Sequence, residues 1–235
     1  MRLDKFLSES SPYSRKEIKT LIRKKEVSIN GSTALRPEEQ VNEDDEVYVL
    51  GKKVEYIKYV YFVLNKPQGY ISATEDKRYP VVTELIPEEY SHYNVFPVGR
   101  LDIDTEGLLI LTNDGELDHK VTSPKKNVYK RYFVRTDKPV EQEDVQIFAS
   151  GMSFKEFTAK PAKLEICDDP HESYVEIAEG KFHQVKRMFE RVGKEVKYLK
   201  RVSIGALELR EDLGPGEVCR LERSELAPLF KNAKK

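Results

Sequence analysis

The chain has few cysteines and no long apolar segment, and these absences narrow its class. Cys167 and Cys219 lie far apart and form no CxxC pattern, so we expect neither a disulfide framework nor a cysteine-based metal site. No stretch approaches the length of a membrane-spanning helix. Residues 1–10 (MRLDKFLSES) contain Asp4 and no long apolar region, unlike a signal peptide. The expected class is a soluble cytoplasmic protein of one or two domains that does not bind a membrane.

The net charge is also small, at −1 over 235 residues, which by itself argues against a nucleic-acid-binding protein. The charges are segregated, however. Residues 1–30 carry eight basic and four acidic side chains, residues 120–135 carry six basic and none acidic, and residues 179–201 carry eight basic and three acidic. Separate basic faces are typical of phosphate binding, although a solvated helix face would explain any single cluster.

The first fifty residues have the pattern of a small basic module. Leu3, Phe6 and Leu7 have helical spacing, which predicts a first helix. Ser14 followed by Glu17 forms a capping box and predicts the start of a second helix. The surface of that second helix is strongly basic.

A hairpin is predicted after this helix pair. Val27 and Ile29 alternate as in a strand, and Asn30-Gly31 is a strong hairpin signal. The order RLDKFLSES…SRKEIKTLIRKKEVSINGS resembles the S4 RNA-binding domain, which holds folded RNA on such a helix pair and loop. The resemblance implies RNA binding rather than chemistry, with contacts from the basic residues of the second helix: Arg15, Lys16, Lys19, Arg23 and Lys24.

Residues 99–115 (GRLDIDTEGLLILTNDG) are the most informative segment. Two acids, Asp102 and Asp104, and an arginine, Arg100, precede a short apolar run that predicts a buried strand. Such charges are costly beside a buried strand unless they pair or do chemistry, and a loop capped by an Arg–Asp pair is the simplest alternative. The whole string closely resembles the signature of the pseudouridine synthases of the RsuA family. The aspartate of G-R-L-D is catalytic in that family, which implies that Asp102 is the catalytic residue here.

Two further segments resemble the same family. Residues 65–70 (NKPQGY) follow a predicted strand at 59–64, and taken alone they would be an ordinary β-turn. In the predicted strand VYKRYFVR, Tyr132 and Lys130 match the lysine-x-tyrosine of the family. The resemblance implies that the Tyr132 ring stacks against the target base and that Lys130 lies beside it.

A fourth matching segment, EGKFHQVKRMF, begins at Glu179. The apolar spacing of the residues from Val185 onward predicts a helix that ends at Gly193. Lys186 and Arg187 lie near its N-terminus, where the helix dipole disfavours cations, so a negative partner is expected. The segment resembles H-Q-[IV]-[KR]-R-M, whose basic residue pairs with the catalytic aspartate, and this implies pairing of Lys186 with Asp102. We expect Gln184 and Arg187 to contact RNA.

The combined resemblance implies an α+β protein with an S4-like domain at residues 1–50, a linker at 51–58 and a catalytic domain with antiparallel sheet at 59–235. Its expected activity is isomerisation of a uridine in 16S ribosomal RNA to pseudouridine. The reaction needs no nucleotide cofactor, and no GxGxxG or P-loop motif is present. We also expect no metal, because His183 has no second ligand at suitable spacing. Arg100 would occupy the space that the base leaves or hold a phosphate.

The expected partner is ribosomal RNA or a ribosomal subunit assembly particle, bound by a monomer. Three alternatives stay open. One is a 23S ribosomal RNA pseudouridine synthase, and another is a non-catalytic S4-type RNA-binding or assembly factor. The third is a glycosidase with Asp102 and Asp104 as its paired carboxylates.

Overall fold

The computed structural model describes residues 1–123 and 125–231, which group into two compact units. The first unit comprises Met1–Val60 and Ile86–Val95. Apart from a 3₁₀ helix at Glu88–Tyr93, its elements in chain order are α1 (Leu3–Ser10), α2 (Arg15–Arg23), β1 (Val27–Ile29), β2 (Ser32–Thr33), β3 (Val47–Val49) and β4 (Lys52–Val54).

The predicted start of α2 is confirmed. The Glu17 backbone N–H donates to Ser14 Oγ over 3.3 Å, and the Ser14 backbone N–H donates to Glu17 Oε2 over 2.8 Å. The strands form one sheet in the order β2-β1-β3-β4. The core lies between α1, α2 and this sheet and includes Leu3, Leu7 and Ile18, each fully buried.

The second unit comprises Tyr61–Leu85 and the chain from Phe96 onward. Its strands are β5 (Tyr61–Lys66), β6 (Phe96–Pro97), β7 (Glu106–Thr112), β8 (Lys130–Thr136), β9 (Met152–Ser153), β10 (Thr158–Ala159), β11 (Lys163–Ile166), β12 (Glu172–Ile177), β13 (Val196–Ile204), β14 (Leu207–Glu208) and β15 (Val218–Leu221). Its α-helices are α3 (Gly115–Thr122), α4 (Gln142–Ser150) and α5 (Gln184–Arg191), and its 3₁₀ helices lie at Val82–Leu85 and Arg223–Phe230.

One nine-stranded sheet organises this second unit, in the order β11-β12-β8-β13-β7-β5-β15 with β14 beside β13 and β6 beside β7. Its pairs are antiparallel except for β13 and β7, which are parallel. Together with the S4-like module this confirms the predicted α+β class. The apolar run of β7, Leu108–Leu111, is completely buried as predicted.

Gly107 permits the close approach of β7 to β13. Its φ is +103°, and a Cβ there would lie 2.2 Å from the backbone oxygen of Arg201. Any other residue at this position would force the two strands apart. The pairing of β7 with β13 at the centre of the sheet thus requires glycine at position 107.

The boundaries at residues 50 and 59 stay predictions, and the compact units divide the chain elsewhere. Residues 52–54, inside the predicted linker, form β4 and pair with β3. Residues 86–95 belong with the first unit, although they are distant from it in sequence. Neither feature has a strong local sequence signal, because both arise from tertiary contacts.

Candidate active site

A cavity of about 340 Å³ lies in the second unit, over the centre of its sheet. Residues from β8, β13, the end of α3 and two loops line it, among them Arg100, Asp102, Lys130, Tyr132, Phe182 and Arg201. A smaller adjoining recess of about 60 Å³ shares Asp102 and Tyr132 with the cavity and adds His183 and Lys186. The structure therefore brings Asp102, Tyr132 and Lys186 together, as well as Arg100 and Lys130.

The loop that carries Asp102 is held through its backbone. Lys66 Nζ donates to the carbonyl oxygens of Asp102 (3.0 Å) and Thr105 (2.9 Å). The Gly69 N–H donates to the carbonyl oxygen of Ile103 over 2.8 Å. Because these contacts involve backbone atoms of the loop, they fix its path and leave the Asp102 side chain available.

Ser72 completes this attachment. The Leu101 N–H donates to Ser72 Oγ, and Ser72 Oγ donates to the Leu101 carbonyl oxygen, each over 2.9 Å. The NKPQGY segment and the residues just after it thus support the aspartate loop, a role that the sequence alone did not reveal.

Lys66 is a fully buried cation. Burial lowers the pKa of Lys66 to about 8, and the neighbouring carboxylates of Asp104 and Asp102 oppose that shift. Its ammonium also donates to the carbonyl oxygen of Pro67 over 3.1 Å, so it has three backbone acceptors. Such full use of a lysine's donors is how a buried ammonium is tolerated.

Lys186 lies between the two acids of the loop. It is in the first turn of α5, and its side chain is 16% exposed. Its Nζ is 2.5 Å from Asp104 Oδ1 and 3.6 Å from Asp102 Oδ2. The ammonium therefore has the negative partners expected for a cation at a helix N-terminus, and the nearer one is Asp104.

Asp104 has an altered acidity because of this contact. Burial tends to raise the pKa of Asp104, but the hydrogen bond and the charge of Lys186 outweigh it and hold the pKa below its usual value. Asp104 is therefore ionised at neutral pH and retains Lys186 beside Asp102.

His183 lies near the second carboxylate oxygen of Asp102. Its Nε2 is 3.5 Å from Asp102 Oδ1, and its ring stacks on Phe182 with the centroids 3.8 Å apart. His183 has φ +51°, an uncommon backbone conformation for a residue other than glycine. Phe182 is 73% exposed, so the stack presents an aromatic face to solvent beside the cavity.

Tyr132 and Arg201 face each other across β8 and β13. They are directly paired in the antiparallel register, so their side chains lie on the same face of the sheet. Lys130 is on that face too, and its Nζ donates to the carbonyl oxygens of Val121 (3.1 Å) and Val128 (2.6 Å). Burial lowers the pKa of Lys130 to about 8, and the charge of Arg201 adds to the shift.

Two of the residues expected to contact RNA have protein partners. Arg187 forms an ion pair with Glu156, and its guanidinium lies over the rings of Phe154 and Phe157, 5.1 and 4.9 Å from their centroids. Gln184 is buried, accepts a hydrogen bond from the Lys181 N–H over 2.9 Å and so closes the loop before α5.

The remaining predicted RNA contacts are exposed to solvent. Arg100 is exposed at the cavity. The five basic residues of the second helix and its C-terminus are also exposed, and no carboxylate of the described chain lies within 4.0 Å of their charged groups: Arg15, Lys16, Lys19, Arg23 and Lys24.

Four residues of the site were missed by sequence reasoning as contributors to it: Lys66, Phe182, His183 and Arg201. The first three lie inside segments that the sequence had already singled out, so a signal was present for them. The only sequence signal for Arg201 was its place in a basic cluster, because pairing of β13 with β8 brings it to the cavity.

Within residues 1–123 and 125–231, no group of three or more His, Cys, Asp or Glu side chains is arranged to hold a metal. None of the helices in those residues has the length and apolarity needed to cross a membrane.

Comparison with known proteins agrees with this architecture. A family model described as RNA pseudouridylate synthase matches residues 60–191, and an S4 domain model matches residues 1–47. The chain is 45% identical to an uncharacterised RNA pseudouridine synthase of Bacillus subtilis (strain 168), across 96% of this chain and 97% of that protein. It is 38% identical to the ribosomal small subunit pseudouridine synthase A of Escherichia coli (strain K12), across 97% of this chain and 99% of that protein.

A solved structure is similar over the same extent. The crystal structure of a pseudouridylate synthase matches with a TM-score of 0.69 and 38% identity, and the match covers 97% of this chain and 99% of that chain. The fold and the cavity thus define an RNA-modifying isomerase with an added RNA-binding module. The chain belongs to the RNA pseudouridine synthase family and has an N-terminal S4 domain. This membership removes the glycosidase interpretation of Asp102 and Asp104.

Proposed function

We propose that this protein converts a uridine of 16S ribosomal RNA to pseudouridine, with Asp102 as its catalytic residue. The observation that carries the proposal is the position of Asp102. It lies in the wall of a cavity about 340 Å³ in volume, at the lower end of small-ligand sites, with Tyr132 in the same wall. A carboxylate and an aromatic ring around such a cavity suit a base taken out of the RNA.

The ribosomal target is supported by similarity. The relatives from Escherichia coli, Yersinia pestis and Haemophilus influenzae are named ribosomal small subunit pseudouridine synthase A and are 38–39% identical to this chain over nearly their whole lengths. The S4 domain, whose basic α2 face is exposed, adds the RNA-binding surface that a large RNA substrate requires.

In the proposed reaction the N1–C1′ bond of uridine breaks and a C5–C1′ bond forms. A proton leaves C5 and N1 gains one, so the product is an isomer and no oxidant or group donor takes part. The Asp102 carboxylate suits attack at C1′ or removal of a proton from the ribose. Lys186, 3.6 Å away, stabilises its negative charge. Tyr132 stacks against the base, and Arg100 fills the space that the base leaves or holds a phosphate.

Chemical mapping of pseudouridine in ribosomal RNA, with and without the gene, tests this proposal. We expect one site in 16S RNA to disappear on deletion, to return with the wild-type gene and to stay absent with Asp102→Asn. Asp104→Asn is the matched control, because its amide oxygen still accepts from Lys186, and it should restore the site. A site lost from 23S RNA would assign the alternative substrate. An unchanged map would favour the non-catalytic assembly factor.

Purified protein separates catalysis from binding. Asp102→Asn should abolish turnover on the mapped RNA while its Kd stays within about threefold of wild type, a change of about 0.7 kcal/mol. Turnover near the wild-type rate would remove Asp102 from the mechanism.

A further inference from the structure

The sheet side of the cavity contains a guanidinium with unused hydrogen-bonding capacity. Arg201 is 3% exposed and lines the cavity. Its Nε donates to the Leu108 carbonyl oxygen over 2.8 Å, while its Nη2 is buried without a hydrogen-bond partner among the described residues. A guanidinium has five N–H donors and no acceptor, so the two N–H groups of Nη2 await an oxygen or nitrogen acceptor.

The charge of Arg201 is also unpaired. No carboxylate of the described residues lies within 4.0 Å of it, and its charge helps to lower the pKa of a neighbouring cation, Lys130. A buried cation without a partner lowers stability. Such an arrangement is explained if a ligand supplies the missing acceptor when it fills the cavity.

We propose that Arg201 recognises the uracil carbonyl oxygen that lies farthest from the glycosidic bond. The inference rests on the proposed function and adds the basis of its base selectivity. In uridine the glycosidic bond is at N1, beside C2, so the far oxygen is O4. Cytosine has an amino group in place of O4. That group donates hydrogen bonds, so it and the N–H groups of Arg201 would face each other in the cavity without acceptors. Arg201 therefore admits uridine and rejects cytidine.

The depth of Arg201 favours a base over a phosphate as its ligand. A phosphodiester has RNA on both sides, whereas a base is a terminal branch that enters a cavity alone. Asp102 has a 30% exposed side chain and lies nearer to solvent than Arg201, so a ribose at Asp102 directs the far edge of its base inward. Register with Tyr132 puts Arg201 at the edge of a base that stacks on that ring.

The same contact can form with the substrate and with the product of the isomerisation. When the detached uracil turns about the axis through N3 and C6, N1 exchanges with C5 and O2 exchanges with O4. The oxygen farthest from the ribose is then O4 in the substrate and O2 in the product. A guanidinium that only donates serves either oxygen, so Arg201 holds the base before and after the turn.

Single-turnover rates of Arg201 variants test this inference on an RNA that the wild type modifies. The target position carries uridine or 4-thiouridine, whose sulfur is a weak acceptor in place of O4. Sulfur should slow the wild type about tenfold, the loss of one hydrogen bond worth about 1.4 kcal/mol. Arg201→Met should be slow on both RNAs and insensitive to the sulfur, and Arg201→Lys should recover part of the rate and of the sulfur effect. Equal sulfur effects in Arg201→Met and the wild type would overturn the inference.

The control is Arg131→Met, which changes a neighbouring β8 arginine that pairs with Glu165 and does not line the cavity. It should keep the wild-type ratio between the two RNAs. If Arg201→Met does not fold, as judged by circular dichroism, Arg201→Lys and the sulfur effect on the wild type decide the question.

Binding of free nucleotides gives a second readout that needs no turnover. In ligand-observed NMR, the wild type and Asp102→Asn should bind uridine 5′-monophosphate more tightly than cytidine 5′-monophosphate, and Arg201→Met should lose the preference. Equal binding of the two nucleotides by the wild type, or binding of neither, contradicts the role of Arg201. Absence of pseudouridine on every RNA, with the preference intact, would instead contradict only the proposed function.

Discussion

Lys186 joins the two acids of the 100–105 loop, and the individual contacts differ from the expected pattern. The family resemblance implied pairing of Lys186 with Asp102. In the structure Asp104 is the nearer partner, at 2.5 Å against 3.6 Å. The turn in which the Thr105 N–H donates to the Asp102 carbonyl oxygen decides which carboxylate faces α5, and residue types alone do not encode that choice.

Replacing Lys186 tests its role as the shared cation. Lys186→Met keeps the aliphatic stem but leaves Asp102 and Asp104 without their ammonium partner, so the single-turnover rate should fall about a hundredfold or more. Lys186→Arg should retain much more activity, although its planar guanidinium is larger. Arg191→Met, which changes an exposed arginine at the end of α5 that does not line the cavity, should react like the wild type. A wild-type rate for Lys186→Met would show that the contact of Lys186 with the two aspartates does not contribute to catalysis.

The ion pair of Lys186 with Asp104 predicts a pH dependence of stability. Lys186 lowers the pKa of Asp104 in the folded state, so the folded state binds fewer protons there than the unfolded chain does. The stabilisation is therefore complete above the usual pKa of about 3.8 and declines as pH falls through the lower folded value. Denaturant unfolding of the wild type and Lys186→Met should differ at pH 7, and the difference should shrink as pH falls below about 3.8. The difference should be small, because the Asp104 side chain is 62% exposed. A difference in stability that did not shrink as pH falls would be due to altered packing instead.

Lys66 should affect catalysis through the position of the Asp102 loop. Lys66→Met removes the donor to the carbonyl oxygens of Pro67, Asp102 and Thr105. The unpaired acceptors should lower the free energy of unfolding by about 1–3 kcal/mol, and kcat should fall while the Kd for RNA changes little. Lys77→Met, at an exposed lysine in the following loop, should change neither quantity. A weaker Kd with normal kcat would show that Lys66 acts on RNA binding instead.

At the scale of elements, the strongest local patterns were predicted and the ambiguous ones were not. The capping box of α2, the buried run of β7 and the apolar spacing of α5 each have one physical interpretation, and all three are confirmed. The segment at Asp114 has two physical interpretations, because the same residue types form turns and cap helices. In the structure Asp114 accepts from the N–H groups of Glu116 and Leu117 and caps the start of α3.

The residues of the candidate site also differ in how far the sequence predicted them. Asp102, Tyr132 and Lys186 lie in segments with recognisable motifs, so the sequence predicted them. Arg201 joins them because β13 pairs with β8 in one particular register, and a single-residue shift would turn its side chain to the other face. Register is a property of two distant strands, so no local pattern revealed this residue.

The exposed face of α2 should supply phosphate contacts. Arg15, Lys16 and Lys19 have no carboxylate within 4.0 Å among the described residues, so their charges are available to RNA. Replacing all three by alanine should weaken RNA binding. The slope of log Kd against log salt should fall by about 0.7–0.9 for each RNA phosphate that the variant no longer neutralises.

Three basic residues of the second unit form the matched control: Arg135, Lys163 and Lys197. Each is already paired with a glutamate, so their replacement should leave the slope near the wild-type value. Equal slopes for the two triple variants would show that α2 is not the main RNA-binding surface.

At the scale of the whole molecule, the first unit is assembled from two parts of the chain. Residues 86–95 belong to it, and their 3₁₀ helix Glu88–Tyr93 contacts α1. A purely sequential division into S4 and catalytic domains does not anticipate this, because the segment lies within the range of the catalytic family model at 60–191. Removal of the S4 domain therefore leaves part of its compact unit behind.

A truncated chain beginning at Tyr61 should show the consequence. It should keep the fold of the second unit, which has its own nine-stranded sheet, but it should expose the apolar residues Ile86, Tyr93 and Val95, which are buried in the full chain. We expect it to bind a hydrophobic dye, and threonine at all three positions should reduce that binding. In the full chain the same triple substitution should instead lower the free energy of unfolding by about 2 kcal/mol or more, because it removes buried apolar groups and adds hydroxyls. Dye fluorescence and denaturant unfolding of the four proteins check both effects. If the triple substitution left dye binding by the truncated chain unchanged, residues 86–95 would not depend on the first unit for their burial.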